Sequence, residues 1–264
     1  TRLSNTTIPK VYDAKFAPPG ETAVLPLIKE SKETPRTISA AVTPKSTTTQ
    51  ESFRLIADGY ALEGPFLSPN IESIEIGEEG ITYVVPNVER GSAVITADFN
   101  DLSKNVLYDA PLTSWILQDV NDDTIAQTTK ADSRLDGFLY TVDKNTTVVS
   151  KLLGNIPGLT TLVSPNEKWI LYAQANGNDI GTFALDQESG RVLTLDINTL
   201  PEKCAFSNID ENIVYCGASN QAPSANYPED WYQGLVSFND NMWRISLETN
   251  EYEQLLGDRE QVDQ

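Results

Sequence analysis

The chain repeats one short pattern at intervals of about 45 residues, and this repeat limits the folds that are open to it. Each copy has a few apolar residues, a turn rich in small and polar residues, and a β-rich run that ends near an aromatic residue. The clearest copies are residues 162–172 and 205–215, which align without a gap. A third copy covers residues 16–25, and looser copies cover residues 74–84 and 116–127. Spacings of this size are typical of four-stranded propeller blades.

The repeat predicts an all-β chain in which antiparallel strands form five blades of a β-propeller. No segment keeps a 3.6-residue period, so little helix is expected. We expect one domain over residues 1–264. The predicted blades lie within residues 12–42, 72–109, 113–149, 162–193 and 205–253.

The alignment of the two clearest copies also predicts which side chains occupy equivalent core positions. These side chains should pack between neighbouring sheets, and they are Val163, Ile170 and Tyr172 in one copy and Phe206, Ile213 and Tyr215 in the other. A second set of residues is expected to form the tight turns into the outermost strands, because short polar side chains accept hydrogen bonds from nearby backbone N–H groups. These are Asp98, Asp143, Asp186 and Glu248.

Charge and hydropathy exclude two classes of partner. The chain has 19 Lys and Arg residues against 38 Asp and Glu residues, which gives a net charge of -19. Such a surface repels phosphate backbones and anionic lipids, so no nucleic-acid partner is expected. No stretch is apolar enough to cross a bilayer, and no direct membrane insertion by this chain is expected. We expect a monomer.

The absence of histidine restricts the chemistry that the chain can perform. The sequence has no histidine, so it cannot form a Ser-His-Asp or Cys-His triad. It also has no glycine-rich nucleotide loop, and no cofactor is expected. Catalysis would therefore depend on pairs of carboxylates. With this many acids some pair always looks suitable, so the abundance of acids is not diagnostic.

Cys204 and Cys216 are the only two cysteines, and they flank a predicted hairpin almost symmetrically around Asp210. The symmetry predicts that they lie opposite each other on neighbouring antiparallel strands, where a disulfide can form. A slip of one residue would point them to opposite faces of the sheet. A disulfide and two reduced core cysteines are both compatible with the sequence.

A weak calcium candidate lies in the third predicted blade. Asp119, Asn121 and Asp123 have the alternating spacing that begins a calcium-binding loop. However, Thr124 stands where such a loop needs glycine, and Lys130 stands where it needs glutamate. An acidic hairpin turn is the preferred interpretation, and no metal is expected.

Aromatic and acidic residues cluster in the long connection of the last predicted blade. They form a candidate binding site, because Tyr and Trp offer large contact area at low entropic cost. The alternative is that Trp231 and Tyr232 fold back as a lid on the molecule itself. The candidate binding residues are Tyr227, Glu229, Asp230, Trp231 and Tyr232.

The turn at residues 164–167 and the aspartates that end the third strands resemble those of TolB-like and dipeptidyl-peptidase-like WD40-type propellers. Residues 2–11 and 228–234 resemble segments of extracytoplasmic propeller proteins from candidate-phyla bacteria. This resemblance implies a propeller fold and further blade sequence on both sides. If that sequence is present, the chain is the middle five blades of a seven-bladed ring; otherwise it is a closed five-bladed ring. The resemblance also implies a location outside the cytoplasm, at the cell surface or attached to a membrane through an anchor segment that precedes the chain.

These observations favour a non-catalytic binding or scaffolding propeller whose partner is a protein or a glycan. Two alternatives remain open. One is a carboxylate-based hydrolase, and the other is the regulatory propeller of a larger peptidase-like enzyme.

Overall fold

The computed structural model describes residues 15–16, 22–27, 36–41, 67, 70–77, 80–87, 89, 91–219 and 222–256. Nearly all regular structure in this part is antiparallel β-sheet. There are four sheets of four strands each and one sheet of three strands, and within every sheet the strands lie side by side in chain order. The predicted all-β fold with four-stranded antiparallel blades is therefore confirmed. The predictions for residues 2–11 lie outside the described residues.

The chain divides into two compact units, Thr1–Asp122 and Asp123–Gln264. The single-domain prediction and the closure of the ring stay predictions. The strands of the first unit are β1 (Lys15–Phe16), β2 (Thr22–Leu27), β3 (Arg36–Ala41), β4 (Ser73–Ile76), β5 (Ile81–Asn87), β6 (Gly91–Ala97), β7 (Asn105–Ala110) and β8 (Trp115–Asp119). Strands β4 to β7 form one four-stranded sheet, and β1 to β3 form the three-stranded sheet.

The second unit contains the remaining eleven strands that the structure describes. Its strands are β9 (Thr124–Thr129), β10 (Asp136–Asp143), β11 (Val149–Pro157), β12 (Thr160–Val163), β13 (Trp169–Asn176), β14 (Asp179–Asp186), β15 (Val192–Thr194), β16 (Cys204–Phe206), β17 (Ile213–Ala218), β18 (Asn241–Ser246) and β19 (Glu251–Leu256). The helices of the described part are a 3-10 turn, Pro201–Lys203, and one short α-helix, α1 (Glu229–Tyr232). Strands β8 to β11, β12 to β15 and β16 to β19 form the last three sheets. We call the last two of these the fourth blade and the fifth blade.

The core of the first unit lies around its four-stranded sheet. Ile74, Ile81 and Tyr83 belong to one buried apolar cluster. The hydroxyl of Tyr83 donates to Asp101 Oδ1 at 2.7 Å, and Lys104 pairs with Asp101 Oδ2 at 2.8 Å. The buried phenol therefore has a polar partner, as a buried hydroxyl requires.

The core of the second unit fills the space between the fourth and fifth blades. Leu171 and Ala184 of the fourth blade and Val214 and Ile245 of the fifth blade are all fully buried in one cluster. In each blade these side chains come from one face of the sheet, because successive residues of a strand point to opposite faces. This packing joins neighbouring blades through apolar side chains.

The gapless alignment of the two clearest repeats is wrong by one residue in the second strand. Ser164 N–H donates to Trp169 O at 2.8 Å, whereas Ser207 N–H donates to Ile213 O at 2.9 Å. The first turn of the fifth blade is thus one residue longer than that of the fourth. Val214, and not Ile213, takes the place of Ile170, since Ile170 pairs with Leu185 as Val214 pairs with Ile245.

This slip has a consequence for the predicted core residues. Val163, Ile170 and Tyr172 are buried, as is Ile213. Tyr215, however, points to the opposite face from the one predicted and is 36% exposed, and Phe206 is partly buried. Because side chains alternate along a strand, one inserted residue moves every later side chain to the other face.

The predicted turns into the outermost strands are confirmed for three of the four residues. Asp98, Asp143 and Asp186 each accept backbone N–H groups from the two to five residues that follow. These hydrogen bonds lower the pKa of the Asp98 and Asp143 carboxyls, and the pKa of Asp186 is lowered mainly by the Ser189 hydroxyl and further by the backbone N–H groups. In the fifth blade Ser246 fills this position instead of Glu248, and its hydroxyl lies 2.8 Å from Thr249 Oγ1.

Candidate functional site

The predicted binding residues lie in the connection between β17 and β18, which is the longest connection in the described part of the second unit. It contains α1, which is too short to be stable alone. Asp230 supports this turn, because its Oδ2 accepts the backbone N–H of Asn226 at 2.8 Å and the side-chain amide at 3.3 Å. Side chains therefore hold the local conformation of this loop.

Tyr227 fixes the base of the loop and is fully buried. Its hydroxyl donates to Pro223 O at 2.6 Å, and its ring centroid lies 5.6 Å from that of Phe238. Lys203 Nζ lies 3.9 Å from the centroid of the Phe238 ring and 2.6 Å from Asp240 Oδ2. Burial lowers the pKa of Lys203. Tyr227 is thus a core residue in this conformation and is not accessible to a partner.

Glu229 connects the loop to the sheet formed by strands β8 to β11. Its Oε1 accepts two hydrogen bonds from Ser133, one from the backbone N–H and one from the hydroxyl, each at 2.8 Å. Ser133 lies in the connection between β9 and β10. The second oxygen, Oε2, is buried and has no hydrogen-bond partner among the described residues. Glu229 therefore acts as a brace between two loops.

Trp231 and Tyr232 are adjacent on the short helix, and their ring centroids lie 5.4 Å apart. Trp231 is partly buried and packs against a cluster that includes Leu200 and Tyr227. The Tyr232 hydroxyl donates to Glu202 Oε1 at 2.5 Å. Removal of water by the surrounding chain raises the pKa of Glu202, and the hydrogen bond from Tyr232 partly opposes this. Trp231 thus has the position expected of the internal lid, and Tyr232 remains 44% exposed.

The braced loops present a group of exposed apolar side chains. Leu235 follows α1 and is 69% exposed, and Leu135 lies two residues after Ser133 and is also exposed. We call Tyr232, Leu235 and Leu135 the α1 platform. Nearby, Arg134 pairs with Asp132 at 3.0 Å, and this hydrogen-bonded pair lowers the pKa of Asp132. Exposed apolar side chains and a charged pair thus lie on the two loops that Glu229 joins.

Two residues of this site were missed by the sequence analysis, namely Glu202 and Ser133. Each lies on a different connection from the predicted loop, and their contacts span 30 and 96 residues of chain. No spacing in the sequence links them to α1. Their role follows only from the sheet order, which brings connections of successive blades to the same end.

Cys204 and Cys216 lie directly opposite each other in the register of β16 and β17, as the sequence predicted. Their Cα atoms are 4.1 Å apart and their sulfurs are joined in a disulfide. The corresponding pair in the fourth blade is Thr161 and Tyr172. There the Tyr172 ring stacks on Phe183 at 5.2 Å. A covalent link in the fifth blade thus stands where the fourth blade has a polar and aromatic pair.

The weak calcium candidate lies in the turn between β8 and β9. Asp123 Oδ1 accepts the side-chain amide of Asn145 at 2.7 Å, and the Asp123 carbonyl accepts the N–H of Lys144 at 2.7 Å. Within the described ranges, no group of three or more His, Cys, Asp or Glu residues is arranged to hold a metal ion. The involvement of Asp119, Asn121 and Asp123 in metal binding stays a weak prediction.

The part of the chain that the structure describes contains no helix that is both long and apolar enough to cross a membrane.

Comparison with known proteins gives a fold. No protein-family model matches the chain, and no curated protein matches it in sequence. Among solved structures, it resembles a TolB-like protein of Agrobacterium tumefaciens with a TM-score of 0.53 and 9% identity, over 92% of this chain and 79% of that one. It resembles the β-propeller domain of the trilobed protease from Pyrococcus furiosus with a TM-score of 0.55 and 11% identity, over 96% and 73%.

A third similar structure is the acylaminoacyl peptidase of Pyrococcus horikoshii, with a TM-score of 0.59 and 9% identity. The match covers 98% of this chain but 41% of the peptidase. The chain therefore has the fold of TolB-like and dipeptidyl-peptidase-type β-propellers, as its turn pattern indicated. At such low identity the likeness concerns fold and not activity. The resemblance to proteins of candidate-phyla bacteria stays a prediction.

Proposed function

We propose that this chain is a non-catalytic binding propeller that recognises a protein partner through the α1 platform. The observation that carries the proposal is the bracing of α1 at two points, by Glu229 on Ser133 and by Tyr232 on Glu202. Bracing reduces the entropy that a loop loses when it binds. A loop that is fixed in this way and still exposes Tyr232 and Leu235 is suited to recognition.

The five predicted binding residues take different roles in this proposal. Tyr227 and Trp231 support the loop from inside, while Glu229 and Asp230 fix its conformation. Of the five, only Tyr232 is exposed, at 44%. The proposed contact surface therefore keeps only Tyr232 of the predicted residues, and it adds Leu235 and Leu135.

We place the protein outside the cytoplasm in this proposal. Disulfides persist in oxidising compartments and are rare in the cytosol. The Cys204–Cys216 pair, with both sulfurs bonded, supports this location. Mass spectrometry of protein from native cells, alkylated before any reduction, should show both cysteines unmodified by the alkylating reagent.

The test of the proposed function is capture of the partner from the native cell envelope, followed by calorimetry on the purified pair. Leu235→Ser should weaken binding at least about tenfold, because it removes apolar surface that the complex would bury. Val192→Ser is the matched control, since Val192 is also about half exposed but lies on the outermost strand of the fourth blade. Equal binding by wild type and Leu235→Ser would contradict the proposal. A hydrolytic activity abolished by one Asp or Glu substitution would contradict its non-catalytic part.

A second candidate is the regulatory propeller of a larger peptidase-like enzyme. It is favoured by the fold similarity to a peptidase of which this chain spans 41%. Identification of a hydrolase domain in the same polypeptide in native extracts would support this candidate over an independent binding protein.

A further inference from the structure

A groove of about 730 Å³ lies at the opposite end of the fifth blade from the α1 platform. It is formed by the first turns of the fourth and fifth blades, whereas α1 lies in the connection at the other end of β17. Its size is in the range of ligand-binding sites. The residues that form its sides are Pro165 and Asn166 from one turn and Phe206, Ile209, Asp210 and Glu211 from the other.

Hydrogen bonds between the two turns fix the shape of this groove. Asn166 Nδ2 donates to Glu211 Oε2 at 2.6 Å, and Lys168 Nζ donates to Glu211 Oε1 at 3.1 Å. Below them, the indole N–H of Trp169 donates to Asn212 Oδ1 at 3.1 Å. These pairs link adjacent blades, so both turns are held in place before any ligand arrives.

The apolar part of the groove is unusual for a hairpin turn. Ile209 is 98% exposed at the tip of the turn, while Phe206 is partly buried beneath and packs on the core. The matching turn of the fourth blade has only Pro, Asn, Glu and Lys between Ser164 and Trp169. Ile209 gains little stability at this point, and together with Phe206 it gives the groove apolar surface that a group of a partner can contact.

The charges of the acidic residues in the groove indicate which charge a partner should carry. Glu211 is already neutralised by Lys168, whose hydrogen bond holds the pKa of the Glu211 carboxyl below its usual range. Asp210 uses Oδ1 to accept the N–H of Asn212 at 3.0 Å, and it forms no ion pair with any residue that the structure describes. Asp210 therefore contributes a negative charge next to Ile209, in a protein whose net charge is already -19.

We propose that this groove is a second binding site, which takes a linear peptide segment of a partner protein that carries a Lys or Arg beside a bulky apolar residue. The apolar residue contacts Ile209 and Phe206, and the cation contacts Asp210. An anionic partner is disfavoured by the charge of the protein. A glycan is disfavoured because sugars stack on exposed aromatic rings, whereas the exposed apolar side chain here is an isoleucine.

The experiment is selection of random linear peptides displayed on phage against the full chain, with counter-selection against an I209S/D210N variant. Selected peptides are then synthesised and measured by calorimetry. We expect them to share a basic residue within two positions of a Leu, Ile, Phe or Tyr. Ile209→Ser should weaken their binding at least about tenfold, and Asp210→Asn should weaken it and reduce its dependence on salt.

The controls separate this site from the α1 platform. Leu235→Ser and Val192→Ser should leave the affinity for the peptides unchanged. The proposal is overturned if selection yields no peptide that discriminates the variant, or if selected peptides are acidic. It is also overturned if an array of glycans, and not the peptides, gives binding that depends on Ile209.

Discussion

The fourth and fifth blades share one plan and differ in three places. Both have four antiparallel strands in chain order, and both contribute one apolar face to the core between them. The fifth blade has a longer first turn, a disulfide between its first two strands, and the α1 insertion between its second and third strands. Since the strands that pack are equivalent and the connections are not, the comparison separates residues that specify the fold from residues available for function.

The sheet face that carries Leu171 in the fourth blade and Tyr215 in the fifth blade also differs. In the fourth blade Leu171 and Ala184 pair across neighbouring strands and are fully buried against the fifth blade. At the equivalent positions the fifth blade has Tyr215 and Arg244, and Arg244 approaches Glu253 to 3.7 Å. The side chain at this position therefore contributes differently to the free energy of unfolding in the two blades.

The largest expected effect tests this difference at one equivalent position. Leu171→Ala should lower the free energy of unfolding by about 2–5 kcal/mol, because it removes a fully buried side chain and leaves a cavity. Tyr215→Ala should cost less than about 1 kcal/mol, since its ring is partly solvated. Urea unfolding of both variants measures the two values. Similar losses would contradict the strand register of the fifth blade, in which Tyr215 faces away from the core.

The next effect concerns the disulfide that only the fifth blade has among the described residues. Reduction, or the C204A/C216A double variant, should lower the free energy of unfolding by about 2–4 kcal/mol, because the unfolded chain gains freedom. The measurement is urea unfolding with and without a reducing agent. The double variant serves as its own control, since a reducing agent should have no further effect on it. A wild type that is insensitive to reductant would contradict a structural disulfide.

Much of the fold could be predicted from the sequence, because the repeat encodes strands and turns locally. Asp98, Asp143 and Asp186 mark turns through hydrogen bonds to residues that closely follow them, so their role is visible in one segment. The register of β17 could not be predicted by aligning repeats. The inserted residue lies in a turn, where lengths vary at little energetic cost, and nothing in the apolar pattern marks it.

The candidate site could be predicted only in part. The aromatic and acidic composition of residues 227–232 indicated a special loop, but not which side chains face inward. That depends on Ser133 and Glu202, which sheet order brings to the loop from distant parts of the sequence. The alternative of an internal lid describes Trp231 well, while Tyr232 and Leu235 keep the exposure that binding requires.

A smaller effect is expected from the brace on α1. Glu229→Ala should cost about 1–3 kcal/mol, because the N–H and hydroxyl of Ser133 lose their acceptor. Glu229→Gln is the matched control, since its amide oxygen can still accept both hydrogen bonds. In urea unfolding, the free energy of unfolding of Glu229→Gln should lie between those of wild type and Glu229→Ala. Equal destabilisation by Glu229→Gln and Glu229→Ala would contradict this account, because it would show that the negative charge of Glu229, and not its role as hydrogen-bond acceptor, stabilises the fold.

The smallest expected effect is a pH dependence at Glu202. Its pKa is raised in the folded state, so the contribution of this group favours folding at low pH and is lost as the pH rises above the ordinary glutamate value of about 4.3. Glu202→Gln should therefore flatten the fall of stability with rising pH above that value. Because Glu202 keeps contact with solvent, the change is modest. Thermal unfolding of wild type and variant across this pH range measures it, and identical profiles would contradict the shift.

The central claim is that a partner binds to the α1 insertion of the fifth blade and not to the strands that the blades share. Site-directed photo-crosslinking in native cells tests it most directly, with a benzoylphenylalanine placed at residue 235 on the platform or at residue 192 on the outermost strand of the fourth blade. We predict a discrete crosslinked protein from position 235 that is absent from position 192. Identical crosslinking from both positions, or none from position 235, would contradict the claim.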